Sequence, residues 1–199
     1  MTTRSVRILV ISAAFLAGLF VCFGVVLIVS SRMSSPIAQQ IAAVGGPFNL
    51  LDQNGKTVSD RDFKGHPFLV FFGFTHCPDV CPTTLFDVSE ILRALGPDAD
   101  RTRALFITVD PERDTPAVMK DYLSSFDPHL SGLTGDPAEV AAVAKAYRVY
   151  YKKVPLDGGN YTMDHTAIVY LMDKEGRFVS PFSLKRPTEA AAADLRRYL

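Results

Sequence analysis

Cys77 and Cys81 stand in the segment Phe72-Gly-Phe-Thr-His-Cys-Pro-Asp-Val-Cys-Pro82, where each cysteine is followed by a proline. Pro78 and Pro82 lack an amide donor, so a helix running from Cys77 through Pro82 would lose a bond and clash. The spacing therefore predicts a tight turn from Cys77 to Cys81 and a helix with Pro82 at its first position. Cys81 then falls near the N-cap, and both sulfurs lie beside a helix N-terminus, whose partial positive charge favours thiolate over thiol. A thiolate is both a nucleophile and a soft-metal ligand. The pair supports dithiol–disulfide exchange and soft-metal binding alike. A purely structural staple is the third reading, but closing a loop of about five residues stabilises by only about 2 kcal/mol, against about 4.7 kcal/mol for a 100-residue loop.

Four histidines offer a third ligand. His66, in Gly-His-Pro, and His129, after Asp127-Pro128, read as solvent-exposed turn residues. His76 neighbours Cys77, but adjacent side chains diverge. His165 precedes an apolar run, Thr166 to Met172. The strands of an α/β sheet end near one another, so its imidazole could face the cysteine turn. By spacing alone, a lone histidine is more often structural.

The elements that must position these residues are legible in outline. Phe68–Phe74, Ala104–Val109 and Thr166–Met172 are continuous apolar runs, the pattern of strands buried on both faces. Asn54-Gly55 predicts a hairpin turn between Phe48–Leu51 and Lys56–Val58. Leu85, Val88, Ile91, Leu92 and Leu95 form a stripe at helical spacing within Pro82–Leu95. Thr115-Pro116 opens a helix to about Phe126, and Asp136-Pro137-Ala138-Glu139 opens another to about Tyr147. Val149–Val154 and Tyr161–Met163 flank Asp157-Gly158-Gly159 as a β-hairpin. Lys174-Glu175-Gly176 turns into an edge strand at Phe178–Phe182, and a terminal helix covers Thr188–Tyr198. This order predicts an α/β sheet sandwich. A buried strand ending in a cysteine pair at a helix start points to a thioredoxin-like fold with an inserted β-hairpin.

The composition averages over unlike parts. The 199 residues carry 21 basic and 21 acidic side chains and are 48% hydrophobic. A zero net charge gives no pull toward nucleic acid, and three cysteines are too few for a disulfide scaffold. The apolar excess is local: Ile8–Val29 runs 22 positions without a charge. As a helix it spans about 33 Å, enough for a hydrocarbon core, and exceeds a signal-peptide h-region of about 7–15 residues. A cleaved signal is the competing reading, but no small-x-small site comes after it. Bulky Val21 argues against lipidation of Cys22, which reads as a small apolar membrane residue. Arg4 and Arg7 precede the span, so the positive-inside rule puts the chain beyond Arg32 on the non-cytoplasmic side. The expected organisation is a membrane anchor over 1–32, a linker over 33–46 and a domain over 47–199. Beyond Arg32 the chain holds 18 basic and 21 acidic residues and is mildly acidic.

Four segments carry a resemblance: FGFTHCPDVCPTTL (72–85), ITVDPERDTP (107–116), LTGDPAEVAAVAKAYRVYY (133–151) and MDHTAIVYLMDKEG (163–176). They closely resemble the Sco/SenC family over about 150 residues in consistent order, and a CPDVCP segment with a downstream DHT is specific in combination. The resemblance implies a membrane-tethered thioredoxin-like protein that binds copper and helps assemble the binuclear copper centre of cytochrome c oxidase. It implies Cys77, Cys81 and His165 as the copper ligands, with the inserted hairpin around Asp157–Tyr161 bringing His165 to the metal. Two thiolates and one imidazole suit Cu(I), and Cu(II) could bind with a further donor. Zinc would take a fourth ligand, for which Asp79 or Asp164 are conceivable. Asp164 is either an acceptor that orients His165 or a surface carboxylate. Asp110–Asp114 reads as a charged turn in which Asp114 helps start the next helix, ahead of a docking or site-supporting loop.

The expected function is a copper metallochaperone, which transfers cargo stoichiometrically and is not an enzyme. Its expected partners are the copper-bearing oxidase subunit and an upstream copper donor, at the cytoplasmic (inner) membrane with the domain on the periplasmic side. The alternatives are a thiol–disulfide oxidoreductase using Cys77 and Cys81 as a catalytic redox pair, and a thiol redox sensor or peroxidase, which gives His165 no role.

Overall fold

A computed structural model of the chain describes residues 18–20, 22–26 and 44–199. The chain divides into two units, Met1–Ala42 and Ala43–Leu199. Most of the expected membrane span Ile8–Val29, and most of the expected linker, lie outside the described residues. Among the described residues, no helix is long and apolar enough to cross a membrane. Within the second unit, Gly45 N–H donates to Ala146 O at 2.9 Å.

The second unit is built on a seven-stranded sheet. Its strands are β1 (Asn49–Asp52), β2 (Thr57–Ser59), β3 (Phe68–Gly73), β4 (Arg103–Thr108), β5 (Leu130–Thr134), β8 (Val169–Met172) and β9 (Phe178–Pro181), in the spatial order β2-β1-β5-β4-β3-β8-β9. The central strands β3, β4 and β5 are parallel, and β8 joins β3 antiparallel with Phe68 opposite Met172. Every residue of β3 is buried. This is what a continuous apolar strand requires when helices cover both faces. Helices α1 (Val80–Leu95) and α4 (Thr188–Arg196) pack together, and α2 (Pro116–Leu123) packs on β5. Helix α3 (Pro137–Ala146) opens with the capping box expected at Asp136 and Glu139. A separate antiparallel pair, β6 (Tyr151–Pro155) and β7 (Tyr161–His165), forms the inserted hairpin. The fold is thioredoxin-like, as expected.

Several boundaries differ from the sequence expectation. Helix α1 starts at Val80, not Pro82, so Cys81 lies inside the first turn. The first four amides of a helix have no intrahelical acceptor, so proline is as harmless at the third position as at the first. Helix α2 ends at Leu123, short of Phe126. The third buried strand begins only at Val169, because Thr166–Ile168 carry the chain from the hairpin into the sheet. The sequence pattern marks no element over 130–134, where Ser131 and Gly132 interrupt the apolar run. There β5 forms by pairing with β4 and β1. Gly132 lets α2 pack close: a Cβ there would stand 2.6 Å from Leu123 Cδ1 and 2.9 Å from Met119 Cε, so both side chains would have to shift.

Candidate metal centre

Strand β3 delivers the chain to Phe74, and a turn through Thr75–Pro78 comes next, closed by Cys77 N–H donating to Phe74 O at 3.3 Å. The Cys81 amide then faces Cys77 Sγ at 3.4 Å. Cys81 is fully buried and Cys77 only partly, and both thiols are free. Gly73 makes room for this turn. A Cβ there would lie 2.7 Å from Phe106 Cε2 and 2.8 Å from Cys81 Sγ.

The hairpin supplies the third group. His165 ends β7 opposite Tyr151, and the exit from the hairpin is fixed by Thr166 N–H donating to Tyr150 O at 2.9 Å. Nε2 of His165 lies 3.5 Å from Cys81 Sγ, and Nδ1 lies 3.2 Å from Thr166 O. Donation from Nδ1–H to that carbonyl assigns the tautomer that leaves the Nε2 lone pair facing the sulfurs. The rings of Phe71 and Phe74 meet the imidazole edge-on, at 6.2 and 5.8 Å between centroids. One ligand atom from each of Cys77, Cys81 and His165 lies within 4.8 Å of the other two. Two sulfurs and a neutral imidazole on a half-buried ledge form a soft donor set that fits Cu(I) better than a hard cation. Asp79 and Asp164 are exposed and do not belong to the cluster, so neither completes a zinc site here.

The electrostatics differ from the helix-terminus expectation at Cys81. Burial pushes the Cys81 thiol up, and this outweighs the hydrogen bond from the Phe74 backbone that lowers it. Burial also holds His165 below the usual imidazole value and so favours the neutral ring, outweighing the Thr166 carbonyl, which favours the charged one. The orienting acceptor for His165 is thus the Thr166 carbonyl, and Asp164 is the surface carboxylate.

The other histidines are elsewhere. His66 is exposed, as expected. His76 is exposed and its Nδ1 lies 3.1 Å from Thr75 Oγ1. His129 corrects the sequence reading. It is half-buried between two carboxylates, with Nδ1 2.7 Å from Asp127 Oδ1 and Nε2 3.1 Å from Asp100 Oδ1. A cleft of about 650 Å³ lined by Phe48, Lys64 and Glu139, among others, contains none of the three candidate ligands.

The cap of α2 is Thr115, as expected, and its side chain accepts from Val118 N–H. The reading of Asp110–Asp114 as a charged turn in which Asp114 helps start that helix is corrected. Asp114 is fully buried and accepts from Thr75 N–H at 3.0 Å, Thr75 Oγ1–H at 2.6 Å and Thr108 Oγ1–H at 2.6 Å. It pins the first residue of the cysteine turn to the end of β4. Asp110, buried as well, accepts from Tyr161 O–H at 2.9 Å on the hairpin. The loop supports the site, and the signal was present in the sequence. Like the cysteine turn, it leaves the end of a buried parallel strand, and such ends lie side by side.

A match to the SCO1/SenC family covers residues 37–199. The chain belongs to this family. Among the relatives of this SCO1/SenC chain is the bovine "Protein SCO2 homolog, mitochondrial", 43% identical over 162 residues, or 79% of this chain. The aligned part spans 61% of that longer relative. The structure of Bradyrhizobium japonicum ScoI with copper bound is similar with a TM-score of 0.78 and 71% identity, covering 79% of this chain and 100% of that one. Yeast Sco1 with copper bound is similar with a TM-score of 0.72 and 38% identity, covering 78% of this chain and 88% of that one.

Proposed function

We propose that this SCO1/SenC chain is a membrane-tethered copper metallochaperone that carries the ion as cargo on Cys77, Cys81 and His165. It delivers the ion to the binuclear copper centre of cytochrome c oxidase. The observation that carries the reading is the convergence of two sulfurs and one imidazole, from two separate elements, within 4.8 Å. Family membership and the copper-bound relatives support the choice of metal.

The chemistry stems from the donor set. Cu(I) prefers soft ligands and tolerates three-coordination, so an incoming thiolate of a recipient can add to the ion before one of the chain's own donors leaves. Cys77, the partly exposed donor, is the one a recipient reaches first; Cys81 is closed off in the core. A neutral imidazole and two thiolates must form before loading, so binding releases the thiol protons. The partners are the copper-bearing oxidase subunit and an upstream copper donor. Ile8–Val29 anchors the chain in the cytoplasmic membrane, with the domain on the periplasmic side. Carbonate-resistant membrane association, lost on deletion of residues 1–32, tests the anchor.

The testing experiment is an anaerobic Cu(I) titration of the chain with metal analysis and thiol counting. One copper per chain with two thiols protected is the expected result. No binding at micromolar copper would refute the chaperone reading. It would leave the second reading, a thiol–disulfide oxidoreductase, which the free thiol pair favours: Cys77 is partly exposed, and its Sγ lies 3.4 Å from the Cys81 amide.

A further inference from the structure

The loop after β4 holds both halves of the candidate site, and Arg113 is its link to the histidine. The Arg113 guanidinium donates from Nε to Asp110 Oδ2 on its own loop, and from Nη1 to Tyr161 O on β7 at 3.0 Å. It lies over the Tyr161 ring, 3.8 Å from the centroid, while the Tyr161 hydroxyl donates back to Asp110 at 2.9 Å. Lys153 of β6 sits 4.1 Å from the centroid of the same ring and pairs with Glu112 at 2.7 Å. The guanidinium also stands 5.8 Å from the Phe74 ring, which is itself edge-on to His165.

Three features set this arginine apart from a surface charge. Its side chain is only 17% exposed. Its Nη2 is buried without a hydrogen-bond partner, an arrangement that costs stability. Its contacts all go to the loop, to the base of the cysteine turn or to the arm that carries His165. The neighbouring Asp114 fixes the cysteine side through Thr75.

We propose that Arg113 is a positioning residue for the metal site: it clamps the β6–β7 hairpin to the loop after β4 and thereby holds His165 against Cys77 and Cys81. The inference rests on the copper-site reading above. A planar guanidinium can bond Asp110 and the Tyr161 carbonyl in two directions while stacking on the Tyr161 ring. A lysine ammonium cannot do all three. Arg113→Lys therefore keeps the charge and loses the clamp.

The test is a double-mutant cycle on the full chain in detergent, with Cu(I) affinity read by competition with a chromophoric chelator. Arg113→Lys is expected to weaken Cu(I) by about 10-fold or more, as removal of outer-sphere support does. His165→Ala is expected to weaken it further, and the double variant no further than His165→Ala alone. Hydrogen exchange on the metal-free protein is the second arm. Amides of β6 and β7 should lose protection in Arg113→Lys while those of β3 and β4 keep theirs, which also verifies the fold. Tyr161→Phe, which removes only the bond to Asp110, should show the same pattern more weakly. Wild-type affinity in Arg113→Lys, a loss that adds in full to that of His165→Ala, or unchanged hairpin exchange would overturn the proposal. If His165→Ala binds as the wild type does, the ligand assignment fails instead, and the exchange arm alone decides whether Arg113 clamps the hairpin.

Discussion

Nε2 of His165 lies 3.5 Å from Sγ of Cys81, although 84 positions separate them in the chain. Neither residue is placed by its own neighbours alone. Cys81 is set by the end of β3 and the first turn of α1, and His165 by a hairpin outside the main sheet. Their approach brings a neutral acceptor to a buried thiol beside a second thiol that solvent reaches.

That asymmetry between the sulfurs gives a first prediction. In a Cys22→Ser background, iodoacetamide should modify Cys77 at least about tenfold faster than Cys81, because burial shields Cys81 and raises its thiol. Peptide mapping of the adducts decides it; Cys81 reacting first would contradict the geometry.

Gly73→Ala should damage both fold and site. The added methyl meets Phe106 and Cys81 Sγ at 2.7 and 2.8 Å, and both side chains are fully buried. We expect a loss of about 1–3 kcal/mol in urea unfolding, typical of overpacking, together with weaker copper binding from the displaced sulfur. Unchanged stability would show that the sheet yields at this point.

Asp114→Asn replaces an acceptor-only carboxylate with an amide, while three donors from Thr75 and Thr108 converge on it. At least one donor must then face an NH₂ group. The expected cost is about 1–3 kcal/mol, and exchange of the Thr75 amide should accelerate. A Thr75 amide that remains protected would remove Asp114 from the support of the cysteine turn.

His129 predicts a pH dependence far from the metal site. Burial opposes its charged form, but hydrogen bonds to Asp100 and Asp127 outweigh that and raise the pKa. A raised folded-state value means the folded chain holds the proton more tightly than the unfolded one. The stabilisation is fully present below the unfolded value of about 6.5 and fades as pH rises through the folded-state pKa. Melting temperatures of wild type and His129→Gln should differ most below the unfolded value of about 6.5 and draw together as pH rises through the folded-state pKa. A gap that widens with pH would reverse the sign.

Much of the architecture was readable from local pattern. The buried strands Phe68–Gly73 and Arg103–Thr108 announce themselves as apolar runs, and the stripe from Leu85 to Leu95 marks the inner face of α1. Proline and acidic residues mark the start of α3. Strand β5 was not readable: Ser131 and Gly132 break the pattern, and its extended form comes from two neighbouring strands that sequence distance hides. Motif resemblance singled out Cys77, Cys81 and His165 without any structure. Spacing alone left His165 open, since a residue 84 positions from Cys81 has no local reason to meet it.

The amino-acid sequence by itself determined the thiol pair, the sheet-building segments and the family resemblance, because residue type and short periodicity carry that information. Only the tertiary structure decided that Thr166 rather than Asp164 orients His165, that Asp114 serves the cysteine turn, and that Arg113 reaches the hairpin. Those roles depend on which strand ends the sheet sets side by side. That arrangement comes from burying several apolar strands at once, a condition on the whole chain and not on any one segment.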